Sequence, residues 1–162
     1  MPVTVPFRDY SVDMTNGMLL AAGAAAVGCS AQMIGFAVAS RKDNSVGGFL
    51  SQALGTSMLQ IGNIMKHPQI LIAPTLAGAI LGPISTCLLK MTNTATGAGM
   101  GTSGLVGQFG AFAAMSGTTN SWIVLVEIVI MHIVAPAALV LLIDGALRKA
   151  GWIKPGYMCI EK

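Results

Sequence analysis

Apolar residues in this chain come in long, nearly unbroken runs rather than with the period of a half-buried strand or a surface helix. Met18–Ser40 holds 23 residues without a formal charge and stops at Arg41, Lys42 and Asp43. At about 1.5 Å per residue such a helix crosses a hydrocarbon core of about 30 Å. Its stretch Ala21–Gly28 (AAGAAAVG) offers a smooth face of small residues, which lets helices approach closely in lipid. Gln69–Leu89 repeats the pattern between Lys66 and His67 on one side and Lys90 on the other. Its Pro74 and Pro83 read as kinks that neighbouring helices in a bundle can tolerate. Trp122–Ile143 is the third span, with Trp122 marking one interface and Arg148, Lys149 and Trp152 the other.

Two further segments break the pattern. Gly47–Met65 contains Gln52, Gln60 and Asn63, and Thr92–Thr119 packs six glycines into Gly97–Gly110. Both are apolar enough to enter a membrane but unsuited to face lipid as regular helices. Irregular backbone is tolerated at membrane depth only where protein or a wet cavity surrounds it, a demand that re-entrant hairpins satisfy. The expected fold is therefore an all-α membrane protein: a single transmembrane domain over residues 1–162, with about three transmembrane helices and two re-entrant hairpins. Five full spans are the alternative. Basic residues divide seven to two between the sides in either topology, which puts the C-terminus in the cytoplasm but does not choose between them.

Composition agrees with a bilayer as the solvent. The chain is 54% hydrophobic and 9% charged, against about 25% charged in an ordinary soluble domain. The net charge of +3 is scattered and forms no footprint for nucleic acid. Cys29, Cys87 and Cys159 lie far apart without a CxxC and read as small buried side chains. The first apolar run follows Arg8, Asp9 and Asp13 and is too long for the apolar core of a secretory signal. There is no P-loop, no nucleophile–His–Asp arrangement and no paired-carboxylate motif, so no catalytic residue, metal site or cofactor is expected.

The glycines carry two regularities. Gly99–Gly104 (GMGTSG) formally fits G-x-G-x-x-G, but no strand precedes it, and a dinucleotide site requires one. Gly101, Gly104, Gly107 and Gly110 recur every three residues, which fits close backbone packing. More telling, G-T-S-x-L occurs at Gly55–Leu59 and again at Gly101–Leu105, once in each irregular segment. In such a turn glycine permits the reversal and Thr or Ser caps the helix that follows. Paired broken helices at membrane depth expose N–H groups and the positive ends of helix dipoles to a cavity between them. The candidate substrate-binding residues are therefore Thr56, Ser57, Gln60, Asn63, Thr102, Ser103 and Gln108, whose hydroxyls and amides suit a neutral polyhydroxyl ligand. Each amide also reads as glue between helices.

Glu127 joins these candidates as the acidic residue inside a confident span, although an interfacial role at the headgroups fits it equally. His132 lies five residues on, about 140° round an α-helix, so the pair shares no face and makes no metal site; His132 reads as a satisfied residue of the bundle. His67, between Lys66 and Pro68, reads as an interfacial loop residue.

Three stretches carry a resemblance: Val5–Val38 (VPFRDYSVDMTNGMLLAAGAAAVGCSAQMIGFAV), Gly55–Thr86 (GTSMLQIGNIMKHPQILIAPTLAGAILGPIST) and Gly97–Gly107 (GAGMGTSGLVG). They look like the membrane IIC component of the phosphotransferase sugar-transport system, in its toxin-regulator-like branch, over nearly the whole chain. Members of that branch are about twice as long, so the chain resembles a C-terminal half that would pair with an N-terminal half. The resemblance implies a bacterial inner-membrane homodimer that moves a sugar while a separate IIB phosphocarrier phosphorylates it. Sugar-specific relatives use a His and a Glu in local motifs to which His132 and Glu127 do not align, so no catalytic role is carried over. A membrane sensor or regulator that keeps the fold without transporting stays open beside the permease, as does a half that only packs.

Overall fold

The computed structural model describes residues 10–117 and 120–160, with side chains from Thr15 onward. Among these residues the chain is helical and contains no strand. Three helical stretches are long and apolar enough to cross a membrane: Thr15–Ala39, Pro68–Cys87 and Ser121–Lys149. They coincide with the expected spans. The end of the second irregular segment, Thr118–Thr119, lies outside the described residues.

Helix α1 (Tyr10–Ala39) is the central post. Its glycines explain how neighbours reach it: Gly35 faces Val140 and Pro74, and Gly78 of the second span lies against Gly28 and Ala31. At Gly23 the carbonyl of Met91 occupies the place a Cβ would take. The small-residue face thus admits backbone on several sides, which is where van der Waals packing in lipid gains most.

The first irregular segment folds back on itself. Ser45 caps α2 (Val46–Leu50) by accepting from Gly48 N, and α2 widens into a π turn over Ser51–Gly55. Thr56 is extended (φ −157°, ψ 140°) and breaks the helix. A 3-10 turn, Ser57–Gln60, then runs into α3 (Ile61–Lys66). At about 1.5 Å per residue each arm is about 15 Å long, half a hydrocarbon core.

After α4 (Ile72–Cys87, entered through a 3-10 turn over Pro68–Leu71), the second segment does the same from the other end. Thr94 caps α5 (Ala95–Ala98). Gly101, Gly104 and Leu105 then take left-handed backbone (φ 53°, 52° and 61°), which reverses the chain into α6 (Val106–Met115). The third span joins α7 (Ser121–Val129) to α8 (Ala135–Lys149) through a π turn over Ile130–Val134. Pro136 explains the π turn. It has no N–H for the His132 carbonyl, and Ala135 N bonds Ile130 O five residues back instead.

Hydrogen bonds fix which ends lie together. Asn93 N donates to Leu19 O at 3.2 Å, so the second hairpin starts beside the beginning of the first span. Arg148 Nη2 donates to Ala39 O at 3.0 Å, and Asn44 Nδ2 to Met158 O at 2.8 Å, which gathers the ends of α1 and α8 with the chain's final residues. These residues form the tail end of the bundle. A core of Phe36, Ile70, Ala73, Ala77, Val140 and Met158 fills it. Val27, Leu81, Met91, Met115, Val124 and Met131 pack nearer the opposite end.

Candidate functional site

The two Gly-Thr-Ser turns meet. Thr102 is 1% exposed and its Oγ1 donates to the Ala53 carbonyl at 2.6 Å. Ser103 Oγ donates to the Gly55 carbonyl at 2.9 Å. The hairpins thus enter from opposite ends and touch tip to tip, midway along α1. At Gly101 an added Cβ would lie 2.7 Å from the Cys29 carbonyl carbon and from Ser30 N, so the second tip rests on the backbone of that span.

Beside this junction is a recess of about 320 Å³. Its polar wall comes from Thr56 and Ser57 of the first tip, Ser103 of the second and Gln32 of α1, with Cys29, Met33, Met58 and Met100 as apolar surface. The volume falls in the range of small-ligand pockets, roughly 300–1,000 Å³. Thr56 Oγ1 accepts from Met58 N at 3.1 Å, as expected of a cap. Gln32 Nε2 donates to Thr75 Oγ1 at 3.1 Å, which ties the recess to the second span. The two copies of G-T-S-x-L are therefore not equivalent. The first caps its own helix, whereas the second spends its hydroxyls on the first.

Gln32 was not among the residues singled out from sequence. It is the one side-chain amide in Met18–Ser40, and an amide at the middle of a lipid-crossing run was the available signal. Cys29 also lines the recess half-buried, Cys159 is half-buried and Cys87 is exposed, so none is the buried small side chain expected of it.

Gln60 and Asn63 lie elsewhere, at the base of the first hairpin. Gln60 Nε2 donates to Gln52 Oε1 at 2.8 Å and to Met158 O at 2.9 Å. Asn63 Nδ2 donates to Gln60 Oε1 at 2.8 Å and to Cys159 O at 3.0 Å. Gln52 Nε2 passes the chain on to Ser40 Oγ at 2.9 Å. These amides clamp the C-terminal tail to α1 and the hairpin. His67, expected at an interface, stacks on Tyr157 of the same tail with ring centroids 3.7 Å apart.

Gln108 lies on α6, away from the recess, with Nε2 3.2 Å from His132 Nδ1. His132 is 1% exposed, and its Nε2 has no partner, nor has Gln108 Oε1. The histidine is thus half satisfied rather than fully so. Glu127 is half-buried on α7, with Oε2 unpartnered. Of the eight residues singled out, the structure brings Thr56, Ser57, Thr102 and Ser103 to one junction, joins Gln60 and Asn63 in the tail clamp, and leaves Gln108 and Glu127 away from both. Among the described residues, no group of three His, Cys, Asp or Glu side chains is gathered that could hold a metal ion.

Apolar spans around broken helices, with a polar-lined recess at their tips, define a polytopic membrane protein. Over residues 14–160 the chain matches the family Phosphotransferase system, EIIC, and it belongs to that family. It is accordingly a membrane-embedded permease component of a sugar phosphotransferase system, a kind of protein that works with an EIIB partner. No curated protein and no solved structure matches the chain significantly.

Proposed function

We propose that the recess at the paired tips is a sugar site, and that the two hairpins are re-entrant elements entering a bacterial inner membrane from opposite sides. The observation that carries this reading is the tip contact, Thr102 to Ala53 O and Ser103 to Gly55 O. Hydroxyls of Thr56, Ser57 and Ser103 and the amide of Gln32 both donate and accept, as a polyhydroxyl ligand requires. Parting of the tips would open the recess toward one side at a time. Arg41, Lys42, Lys66, Arg148, Lys149 and Lys154 belong to the tail end and support a cytoplasmic C-terminus. The EIIB partner would then meet that end, and a second copy or an N-terminal half would complete the assembly.

The test is a sugar screen by thermal shift on the full chain in detergent, with and without a co-expressed N-terminal half. One sugar should raise the melting temperature, and the Ser57→Ala/Ser103→Ala variant should lose that shift while it still assembles. No shift for any sugar in either preparation overturns the reading. A second reading, as a sensor, rests on the clamp between the hairpin base and the tail, Gln60 to Met158 O and Asn63 to Cys159 O. It predicts binding that changes a partner's activity without flux into proteoliposomes.

A further inference from the structure

Residues 151–160 cross the base of the first hairpin without forming a helix, as a strap. Little within the strap holds its shape. Among the described residues its internal backbone bonds are Tyr157 N to Lys154 O at 3.3 Å and Cys159 N to Gly156 O at 3.4 Å. Its neighbours set its place instead. Asp43 Oδ1 accepts from Gly156 N at 3.0 Å, and Asn44 Oδ1 accepts from Ile160 N at 2.7 Å. Ile153 and Met158 plug it into the core. A segment with so few bonds of its own detaches at lower cost than any spanning helix of the bundle.

The strap reaches the recess through one short piece of chain. The 3-10 turn Ser57–Gln60 carries Ser57, in the recess wall, at its start and Gln60 at its end. At about 2 Å per residue the two are about 6 Å apart along the turn. Gln60 is fully buried, and its Nε2 donates both to Met158 O of the strap at 2.9 Å and to Gln52 Oε1 at 2.8 Å. Gln52 lies in the π turn Ser51–Gly55, whose Ala53 and Gly55 carbonyls accept from Thr102 and Ser103 of the second tip. One buried amide pair thus ties the strap to both arms of the hairpin, within a turn of the tip contact. Buried amides are costly once a partner is lost, and Gln60 takes one of its partners from the segment best able to leave.

We propose that the strap is a latch on the recess. Seated, it holds the first tip against the second. Detached, it leaves Gln60 and Asn63 to turn to water, frees the first hairpin and opens the recess toward the tail end. Such coupling is reciprocal, so whatever wedges the tips apart also loosens the strap. The latch rests on the reading above, in which the tips part to open the recess. It is measured without sugar, so the latch and the sugar site can fail separately.

The test uses the full chain in detergent with Cys87→Ser and Cys159→Ser, which leaves Cys29 in the recess wall as the reporter thiol. Asn44→Ala/Met158→Ala removes an anchor and a plug of the strap, both outside the hairpin and the recess. With helical circular dichroism retained, chymotrypsin should cut this variant faster after Tyr157. A cationic methanethiosulfonate should modify its Cys29 about tenfold faster than in the parent. In the reverse direction, a bulky maleimide coupled to Cys29 of the parent should speed the cut after Tyr157. The same maleimide on the exposed Cys87, in a Cys29→Ser/Cys159→Ser chain, should leave the cut unchanged. Unchanged cleavage after coupling at Cys29 overturns the latch, whatever the variant does. A variant whose strap is cut faster while Cys29 reacts at the parent rate overturns it as well. Equal acceleration by coupling at Cys87 marks general loosening and also overturns it.

Discussion

Thr102 and Gly101 together set the second tip. Thr102→Val keeps the shape of the side chain but leaves the Ala53 carbonyl without its 2.6 Å donor in a buried place. The expected cost is about 1–3 kcal/mol, read by denaturant unfolding in micelles. Gly101 combines a left-handed φ of 53° with backbone 2.7 Å from a would-be Cβ, so Gly101→Ala is strained twice over. Gly99 borders the same recess with negative φ and open space around it. Gly101→Ala should therefore destabilise by about 2 kcal/mol or more, and Gly99→Ala by well under 1 kcal/mol, in paired melting curves. From sequence these two glycines look alike. Only the chain that passes over them separates their roles.

The hairpin is the element whose existence was most legible and whose contacts were least so. Polar residues in Gly47–Met65 and glycines in Thr92–Thr119 mark backbone that lipid could not cover, which suffices to expect broken helices. The side-chain amides of the first hairpin do not face the recess, because their acceptors are Met158 and Cys159, 98 and 96 residues further on. No local spacing reveals a partner at that distance. The consequence is that Gln60→Leu/Asn63→Leu should act first on the tail. Limited chymotryptic digestion should cut after Tyr157 several times faster than in the unaltered protein, since Cys159 O loses the Asn63 donor and Met158 O keeps only that of Asn44. Unchanged cleavage would mean that the bonds of Asn44 to Met158 O and Ile160 N, with the aromatic stack of Tyr157 on His67, hold the tail without these amides.

At the scale of the whole molecule, α1 organises the bundle through places where side chains are missing. Gly35 has Val140 Cγ2 at 3.0 Å and Pro74 Cβ at 3.1 Å from an added Cβ, so it joins all three spans. Gly35→Leu should wedge them apart and shift the protein to aggregate on size exclusion in detergent. Gly28→Ala, where nothing lies within 4 Å of an added Cβ, should elute as the unaltered protein does. The sequence by itself determined the solvent, the three spans and the positions of the two irregular segments, because the cost of exposing polar backbone to hydrocarbon acts on every residue locally. Tertiary structure alone decided that both segments turn back, that their Gly-Thr-Ser tips meet against the middle of α1, and which polar residues face the recess. Those outcomes depend on which donor reaches which acceptor across tens of residues, and hydropathy carries no record of that.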